Sequence, residues 1–475
     1  MNILCKVFLL IIFLTTVSIK GIAQNPKLIE FGWDYPDVNQ LSKRLDSMQN
    51  TPFDGICFSL QRTIMEAFDT IVKKEVYFEF DKLKKLKWGK YSDNYIILRG
   101  FGITGGRWFD NNAWKIFEAN MQSLSRAMAS NVGIKGILFD PEYYYENTFY
   151  NPWTYSKTQY PNQTPEEVQA AVKRRGIQFI KALQKFKTDW SFISIWLTSL
   201  IAEERKYTPL LDTRHALLIS FIEGVLEGKN NSVTVIDGNE YAYWNFKPSQ
   251  FLESTAFLKK NAAELMKSEK AKTEALKMPI AQTLFYDGLL ASAPSFDKGL
   301  DGATKWKWLE ENSKYAMATT NSIVWFYSER IDWWKNKVND TLVKILQNSK
   351  SAVDPTLLSK NKNAAAVKPL LSNSIPINGE KGYYYYTNEK TPMKTGEVAF
   401  SFKWNTTTKD LQIIFPGKLP ASINIYTNNV LFKTIVAKES TVHVKIDTFK
   451  KGSIIVLAKY DINLEAAGIQ MYQAK

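Results

Sequence analysis

From about residue 28 to residue 340, short β-rich apolar runs alternate with longer amphipathic segments. The runs read "KLIEFGWD", "FDGICFSL", "NYIILRGF", "IKGILFDPE", "FISIWLTS", "SVTVIDGNE", "PIAQTLFYDG" and "SIVWFYSE". Between them, segments such as "VNQLSKRLDSM", "AWKIFEANMQSLSRAMASN", "EEVQAAVKRRGIQFIKALQKF" and "PSQFLESTAFLKKNAAELMKS" place apolar residues at three- and four-residue spacing. That is the spacing of helices packed on a sheet. Strand–helix alternation predicts an α/β domain, a parallel sheet covered by helices. Eight strands over roughly 310 residues suit a closed (β/α)8 TIM barrel, for which ~250 residues is typical. The competing doubly wound sheet lacks its phosphate fingerprint, because the first strand ends in "GWDYPD" and the later "GFGITGGRW" has the wrong glycine spacing. No cofactor is implied.

The pattern changes after "IDWWKNKVNDTLVKILQNSK". Residues 350–378 are rich in Lys, Asn, Ser and Pro with little periodicity, and read as a linker. Residues 379–475 then carry closely spaced alternating runs, "EVAFSFKW", "DLQIIFPG", "ASINIYTNN", "VLFKTIVA", "TVHVKID", "SIIVLAKYD" and "AAGIQMYQ". Their spacing predicts an antiparallel β-sandwich, which either binds glycan or braces the barrel.

At the other end, "MNILCKVFLLIIFLTTVSIKGIAQ" has a basic start, a short apolar core and small residues at Gly21 and Ala23. Residues 1–23 are therefore expected to be a cleaved signal peptide, residues 24–349 the barrel, and the mature protein periplasmic or extracellular. The apolar core is shorter than the about 20 residues a membrane span needs, so none is expected. Of two cysteines, Cys5 leaves with the leader and Cys57 remains alone, which rules out an internal disulfide. The formal charge of +14 falls to +12 once Lys6 and Lys20 are gone. The lysines are spread along the chain rather than gathered in a stripe, so no nucleic-acid partner is expected. The two histidines, His215 and His443, lie in a helical and a strand pattern. Zinc sites and Ser–His–Asp triads are thereby excluded, and no metal site is expected. Chemistry must rest on carboxylates, tyrosines and lysine or arginine. The sequence fixes no oligomeric state.

In a barrel, the loops after the strands' carboxyl ends form one functional face. There the sequence offers Trp33 and Asp34 after the first strand, and Arg99 after the third, with Arg107 and Trp108 beyond it. The fourth ends in Asp140 and Glu142 followed by Tyr143, and the sixth in Asp237 and Glu240. The seventh ends in Tyr286 and Asp287, and the eighth in Tyr327 and Glu329 with Trp333 and Trp334 just beyond. Acids with aromatics suit an oligo- or polysaccharide, whose C–H faces stack on rings while carboxylates take its hydroxyls. Cleaving a glycosidic bond needs one protonated carboxyl and a second carboxylate across the bond. Glu142 is the expected acid with Asp140 beside it; Asp237 or Glu240 is the expected partner, with Glu329 in reserve. Trp33, Asp34, Arg99, Arg107, Trp108, Tyr143, Tyr286, Tyr327 and Trp333 are candidate sugar contacts. Any single acid at a strand end can instead simply meet water there. Two other functions fit the same composition: a non-catalytic glycan-binding protein, and a lyase or epimerase acting on uronates.

The run "KGILFDPEYY" resembles the fourth-strand signature of chitinase-type glycoside hydrolases, in which a final Glu is the acid. There the preceding Asp orients the substrate's own acetamido group as nucleophile. The resemblance maps these roles to Glu142 and Asp140, but Lys135 and Leu138 stand where that family has further acids. More widely, "GWD", "PFDG", "FDPE" and the final "WFYSE" with "WW" resemble secreted bacterial barrel-type glycosidases and occur in the same order. That resemblance implies a carbohydrate-active enzyme.

Overall fold

The computed structural model describes residues 26–60, 79–100, 107–131, 133–143, 151–204, 209–245, 248–289, 302–320, 322–335 and 338–352, and then 384–386, 392–394, 397–404, 410–414, 419–439, 441–445, 452–459 and 470–474. The expected leader, and the expected linker beyond residue 352, lie outside the described residues.

All eight apolar runs form strands: β1 (Lys27–Glu30), β2 (Gly55–Phe58), β3 (Asn94–Arg99), β4 (Ile134–Asp140), β5 (Trp190–Ser194), β6 (Val233–Asp237), β7 (Gln282–Phe285) and β8 (Ile323–Tyr327). They pair in parallel in the order β6-β5-β4-β3-β2-β1-β8-β7. The two ends of that order meet. Asp237 bridges Ile280, with the Asp237 N–H donating to the Pro279 carbonyl (3.0 Å) and the Ala281 N–H to the Asp237 carbonyl (2.8 Å). The sheet is thus curled into the expected (β/α)8 barrel.

Alternation along each strand sorts the side chains into two layers. Inside the barrel lie Ile29, Phe31, Cys57, Tyr95, Ile97, Leu138, Ile193, Ile195, Ile236, Ala281, Ile323 and Trp325. Their neighbours, such as Leu28, Ile96, Phe139, Phe192 and Phe326, face the helices. Fully burying a large apolar side chain contributes roughly 1.5–3 kcal/mol, so both layers are needed to hold the curl.

The surrounding helices are α1 (Val38–Met48), α2 (Asn111–Ala129), α3 (Pro165–Leu183), α4 (Thr198–Glu204), α5 (Ala216–Gly228), α6 (Pro248–Leu265), α7 (Glu269–Lys277), α8 (Gly302–Thr319) and α9 (Asp340–Ala352). Local chemistry sets their starts. Thr164 and Glu167 close a capping box on α3, with Pro165 at its first turn. Helix α5 is buried on nearly every side, because α3 crosses it closely. A Cβ on Gly176 would come within 2.1 Å of the Phe221 carbonyl oxygen, and one on Gly224 within 2.1 Å of that of Lys173. Among the described residues, no helix is long and apolar enough to cross a membrane.

Beyond the barrel the strands are antiparallel: β9 (Tyr384–Tyr386), β10 (Pro392–Lys394), β11 (Glu397–Trp404), β12 (Asp410–Ile414), β13 (Ser422–Thr427), β14 (Val430–Ile435), β15 (Thr441–Lys445), β16 (Gly452–Lys459) and β17 (Gln470–Ala474). A four-stranded sheet runs β11-β16-β13-β14 and a three-stranded sheet runs β15-β12-β17, as a sandwich requires. Leu411, Ile413, Val442 and Val444 of one sheet and Ile423, Ile425 and Ile454–Ala458 of the other are buried. Asn428 and Asn429 have positive φ (48° and 64°), the backbone of a tight β13–β14 hairpin.

Candidate active site

At the carboxyl ends of the barrel strands lies a hollow of about 730 Å³. Among the described residues, its acids are Asp140, Glu142, Glu240 and Glu329, and its one cation is Arg99. The walls are Phe31, Gly32, Trp33, Tyr35, Ile195, Tyr243, Phe285 and Tyr327.

Strand β4 delivers the first pair of acids. Leu138 points into the barrel, so alternation puts Asp140, and then Glu142 beyond the strand end, on the same inner side. Two bonds fix the segment. The Glu142 N–H donates to Asp140 Oδ1 (3.0 Å), and the buried indole N–H of Trp153 donates to the Pro141 carbonyl (2.7 Å). Arg99, one strand over on β3, brings its Nε to 3.8 Å from Asp140 Oδ2 and its guanidinium to 4.8 Å from the centre of the Tyr35 ring. Its Nη2 also donates to the Tyr35 hydroxyl.

Glu240 comes from the turn after β6, and that turn is heavily anchored. Asn239 is left-handed (φ 50°, ψ 52°), which folds the chain back over the barrel mouth. Gly238 packs so closely that a Cβ would lie 2.7 Å from both the Ile195 Cα and the Ser194 carbonyl oxygen. The Gly238 carbonyl accepts the Trp325 indole N–H (2.7 Å), and the Asn239 carbonyl accepts the Thr283 hydroxyl (3.1 Å). Trp196, just past β5, donates its indole N–H to Glu240 Oε2. The Tyr243 hydroxyl also hydrogen-bonds to Glu240.

The result is that Glu142 and Glu240, from the ends of β4 and β6 with β5 between them, meet in one hollow, where their carboxyls interact. Burial is the main cause that pushes Glu142 far above the ordinary carboxyl range, to about 10, reinforced by the negative charges of Glu240 and Asp140. Glu240 is also raised by burial, but only to about 7, because the Trp196 and Tyr243 donors favour its anion. Asp140 is raised to about 6, by burial, against the pull of the Glu142 N–H and Arg99. Near neutral pH the proton of the pair therefore resides on Glu142. The two acids of the site thus differ in strength, and the difference traces to the Trp196 and Tyr243 donors that favour the Glu240 anion.

Rings complete the hollow. Tyr243 stacks on Phe285 (4.8 Å, 29°) and on Tyr327 (5.2 Å, 19°), and Phe31 lies 6.0 Å from Tyr327. Trp33 stands at the rim, 69 % exposed, so its face is open to a ligand. Glu329 is exposed beside it, 3.5 Å from the Tyr327 hydroxyl.

Of the residues expected from the sequence, Asp140, Glu142, Glu240, Glu329, Trp33, Arg99 and Tyr327 line the hollow. The others do not. Asp237 is fully buried under the turn, accepting from the Thr198 N–H and hydroxyl, the Ser199 N–H and hydroxyl and the Asn239 N–H at 2.6–3.0 Å. Burial raises its pKa and these donors pull it back, so it anchors the turn and does not reach the hollow. Asp34 Oδ2 accepts the Trp333 N–H (2.7 Å), and its carboxyl pairs with that of the buried Glu30, outside the barrel's interior. Trp333 itself is buried against Phe53 and Phe326. Trp108 is buried among Trp114, Trp153 and Phe221, with its indole N–H on the Pro152 carbonyl. Arg107 begins the short helical turn that carries Trp108, and its carbonyl caps the Trp114 indole. Tyr143 is buried behind Glu142, and Tyr286 packs on Phe326 in the helix-facing layer. For the aromatic residues the reason is shared: near the rim, rings fill the sheet–helix layer as readily as the mouth. Sequence reasoning missed Tyr35, Trp196, Tyr243 and Phe285; for Trp196, no acid at the end of β5 points to that strand.

The fold and site together define a (β/α)8-barrel protein with a buried acid pair in an aromatic hollow. No protein-family model matches the chain, and no curated protein matches it in sequence. Solved structures similar to it include a broad-specificity endoglucanase from an uncultured bacterium (11 % identity, 65 % of this chain and 84 % of that one, TM-score 0.39). They also include endo-glycoceramidase II from Rhodococcus sp. (9 %, 92 % and 97 %, TM-score 0.37) and an endo-beta-mannanase/endo-beta-glucanase from Prevotella bryantii (12 %, 67 % and 44 %, TM-score 0.35). With TM-scores this low, none of these likenesses bears on what the chain does.

Proposed function

We propose that this chain is an exported glycoside hydrolase, in which Glu142 protonates the leaving-group oxygen and Glu240 is the opposing carboxylate. The observation that carries the reading is the meeting of these two carboxyls inside a ring-walled hollow, with the Trp196 indole donating to Glu240. Glycosidic cleavage needs such a pair. Burying two like acids against each other costs stability, and a protein that only held glycans would gain nothing from it. An acid-splitting environment is how enzymes keep one carboxyl protonated near neutral pH. A uronate-directed lyase fits less well. Among the described lining residues Arg99 is the one cation, and it already engages Asp140 and Tyr35, so an anionic sugar would meet mainly carboxyls.

The test is hydrolysis of a panel of aryl glycosides and polysaccharides by the mature protein and its Glu142→Gln variant. Release of reducing ends by the parent, falling by about 10²–10⁴-fold in the variant, is the expected result. Tight binding of oligosaccharides with no turnover by the parent would overturn the reading in favour of a binding protein. Products absorbing in the ultraviolet would identify a lyase.

A further inference from the structure

We infer that the substrate is a glycan of amino sugars with free, protonated amino groups, and that Glu329 selects it by seating an ammonium at the rim of the hollow beside Trp33. The inference rests on the hydrolase reading and adds to it the substrate class and the residue that sets it.

The charges around the hollow do not balance. Among the described residues its lining holds Asp140, Glu142, Glu240 and Glu329 but no lysine, and its one cation, Arg99, is set against Asp140 and over the Tyr35 ring. Glu142, Glu240 and Glu329 therefore have no cation opposite them among the described residues. Carboxylates gathered in an enclosed site are ordinarily met by a cation or a metal ion, and a bound ammonium would fill that place. The rest of the molecule has the opposite sign, with a formal charge of +14 for the chain. Its overall field draws anions, so the local lining alone favours a cation.

The walls point the same way. Phe31, Trp33, Tyr35, Tyr243, Phe285 and Tyr327 line the space that the acids share. Ring faces are electron-rich, and rings around a site are how ammonium groups are recognised. A neutral sugar could stack on these rings and donate hydroxyls to the carboxylates, yet it would leave their charge unopposed. An ammonium answers both features, and N-acetylation would remove it.

The place of the ammonium follows from the chemistry. Beside Glu142 it would favour the anion of that acid and take away the proton donor. Glu329 is exposed at the rim, 3.5 Å from the Tyr327 hydroxyl, and its backbone is fixed. Its N–H donates to Asp287 Oδ2 (2.5 Å), and the Ser328 hydroxyl donates to Asp287 Oδ1 (3.2 Å). The Trp33 N–H donates to the Ser328 carbonyl (3.0 Å), and a Cβ on Gly32 would come within 2.6 Å of that same oxygen. The open ring of Trp33 and the carboxylate of Glu329 are thus carried side by side at the ends of β1 and β8.

The experiment compares oligomers of glucosamine and galactosamine with their N-acetylated forms and with glucose and galactose oligomers of the same linkage and length, at ~0.15 M salt. Cleavage is followed in the mature protein by release of reducing ends. Binding is titrated by calorimetry in the Glu142→Gln background, so that turnover does not consume the ligand. A free-amine oligomer is expected to be bound and cleaved at least about tenfold better than either counterpart. Adding Glu329→Gln, a change at an exposed side chain, should bring that ratio to within about threefold of one. A preference for the N-acetylated or neutral oligomers, or a free-amine preference that survives Glu329→Gln, would overturn the inference while leaving the hydrolase reading standing. Failure to bind any free-amine oligomer would overturn it as well. Glu329-dependent binding of the free amine with no cleavage of any oligomer would keep the ammonium site and overturn the hydrolase reading.

Discussion

Replacing Asp237 by asparagine separates an anchor from a catalyst. Asp237 Oδ2 accepts three donors, the Thr198 N–H and hydroxyl and the Ser199 N–H, while Oδ1 accepts the Ser199 hydroxyl and the Asn239 N–H. An asparagine amide does least harm with its oxygen toward the three donors and its NH₂ toward the other two. The Ser199 hydroxyl can rotate to accept, but the Asn239 N–H cannot, so one buried donor is left facing another in the turn that aims Glu240. Leaving such a group unsatisfied costs about 1–3 kcal/mol. At ~2–4 °C per kcal/mol for a large domain, Tm should fall by roughly 2–12 °C. The turn should loosen, so kcat falls about 10–100-fold, while KM for a substrate held at the rim changes little. Differential scanning calorimetry and steady-state kinetics on one preparation read both. Asp237→Ala is a poorer probe, because it strands all five donors. A Tm equal to that of the parent would refute the anchoring argument. A loss beyond about a thousandfold in kcat with Tm unchanged would mean that Asp237 takes part in the chemistry itself.

The remaining predictions concern the acid pair and its walls. Glu142 and Glu240 have folded-state pKa values raised above the ordinary carboxyl value, so the stability tied to their protons is full below about pH 4 and is lost as pH climbs through the raised values, from about 7 for Glu240 upward. Glu142→Gln should therefore gain Tm over the parent progressively between pH 5 and 9, which thermal melts across roughly that range will show; a pH-independent difference would contradict the buried-acid account. Trp196→Phe removes one of the donors that favour the Glu240 anion, so the acidic limb of kcat/KM should move to higher pH. Trp33→Ala, at a side chain 69 % exposed, should leave Tm within about 2 °C and raise KM several-fold, the signature of a sugar platform.

The barrel was legible because its strands are short apolar runs at regular intervals, and periodicity reports burial directly. The sandwich strands were legible for the same reason, as Val442 and Val444 alternate with the exposed His443 and Lys445. The site was legible where a carboxylate follows an inward-facing strand residue: Leu138 inside places Asp140 and Glu142 inside. The sequence could not tell Glu240 from Asp237. Both are acids at the end of β6, and the difference lies in the left-handed Asn239, which turns one toward the hollow and leaves the other under the α4 start. The nearby Thr198–Ser199 pair was a cue, since adjacent hydroxyls at a helix start need an acceptor. Nor could periodicity distinguish rings that line the mouth from rings such as Trp108 and Trp333 that fill the layer behind it. Glu30, an acid facing the helix layer from the middle of a strand bundle, broke the pattern without announcing a role.

The most direct test of the central claim, that Glu142 gives its proton to the departing oxygen, is the dependence of the Glu142→Gln defect on the leaving group. A 2,4-dinitrophenyl glycoside departs without protonation, whereas the alkyl glycoside of the same sugar needs it. The account predicts a loss of about 10²–10⁴-fold in kcat/KM on the alkyl glycoside and less than about tenfold on the dinitrophenyl one. Equal losses on the two would contradict it.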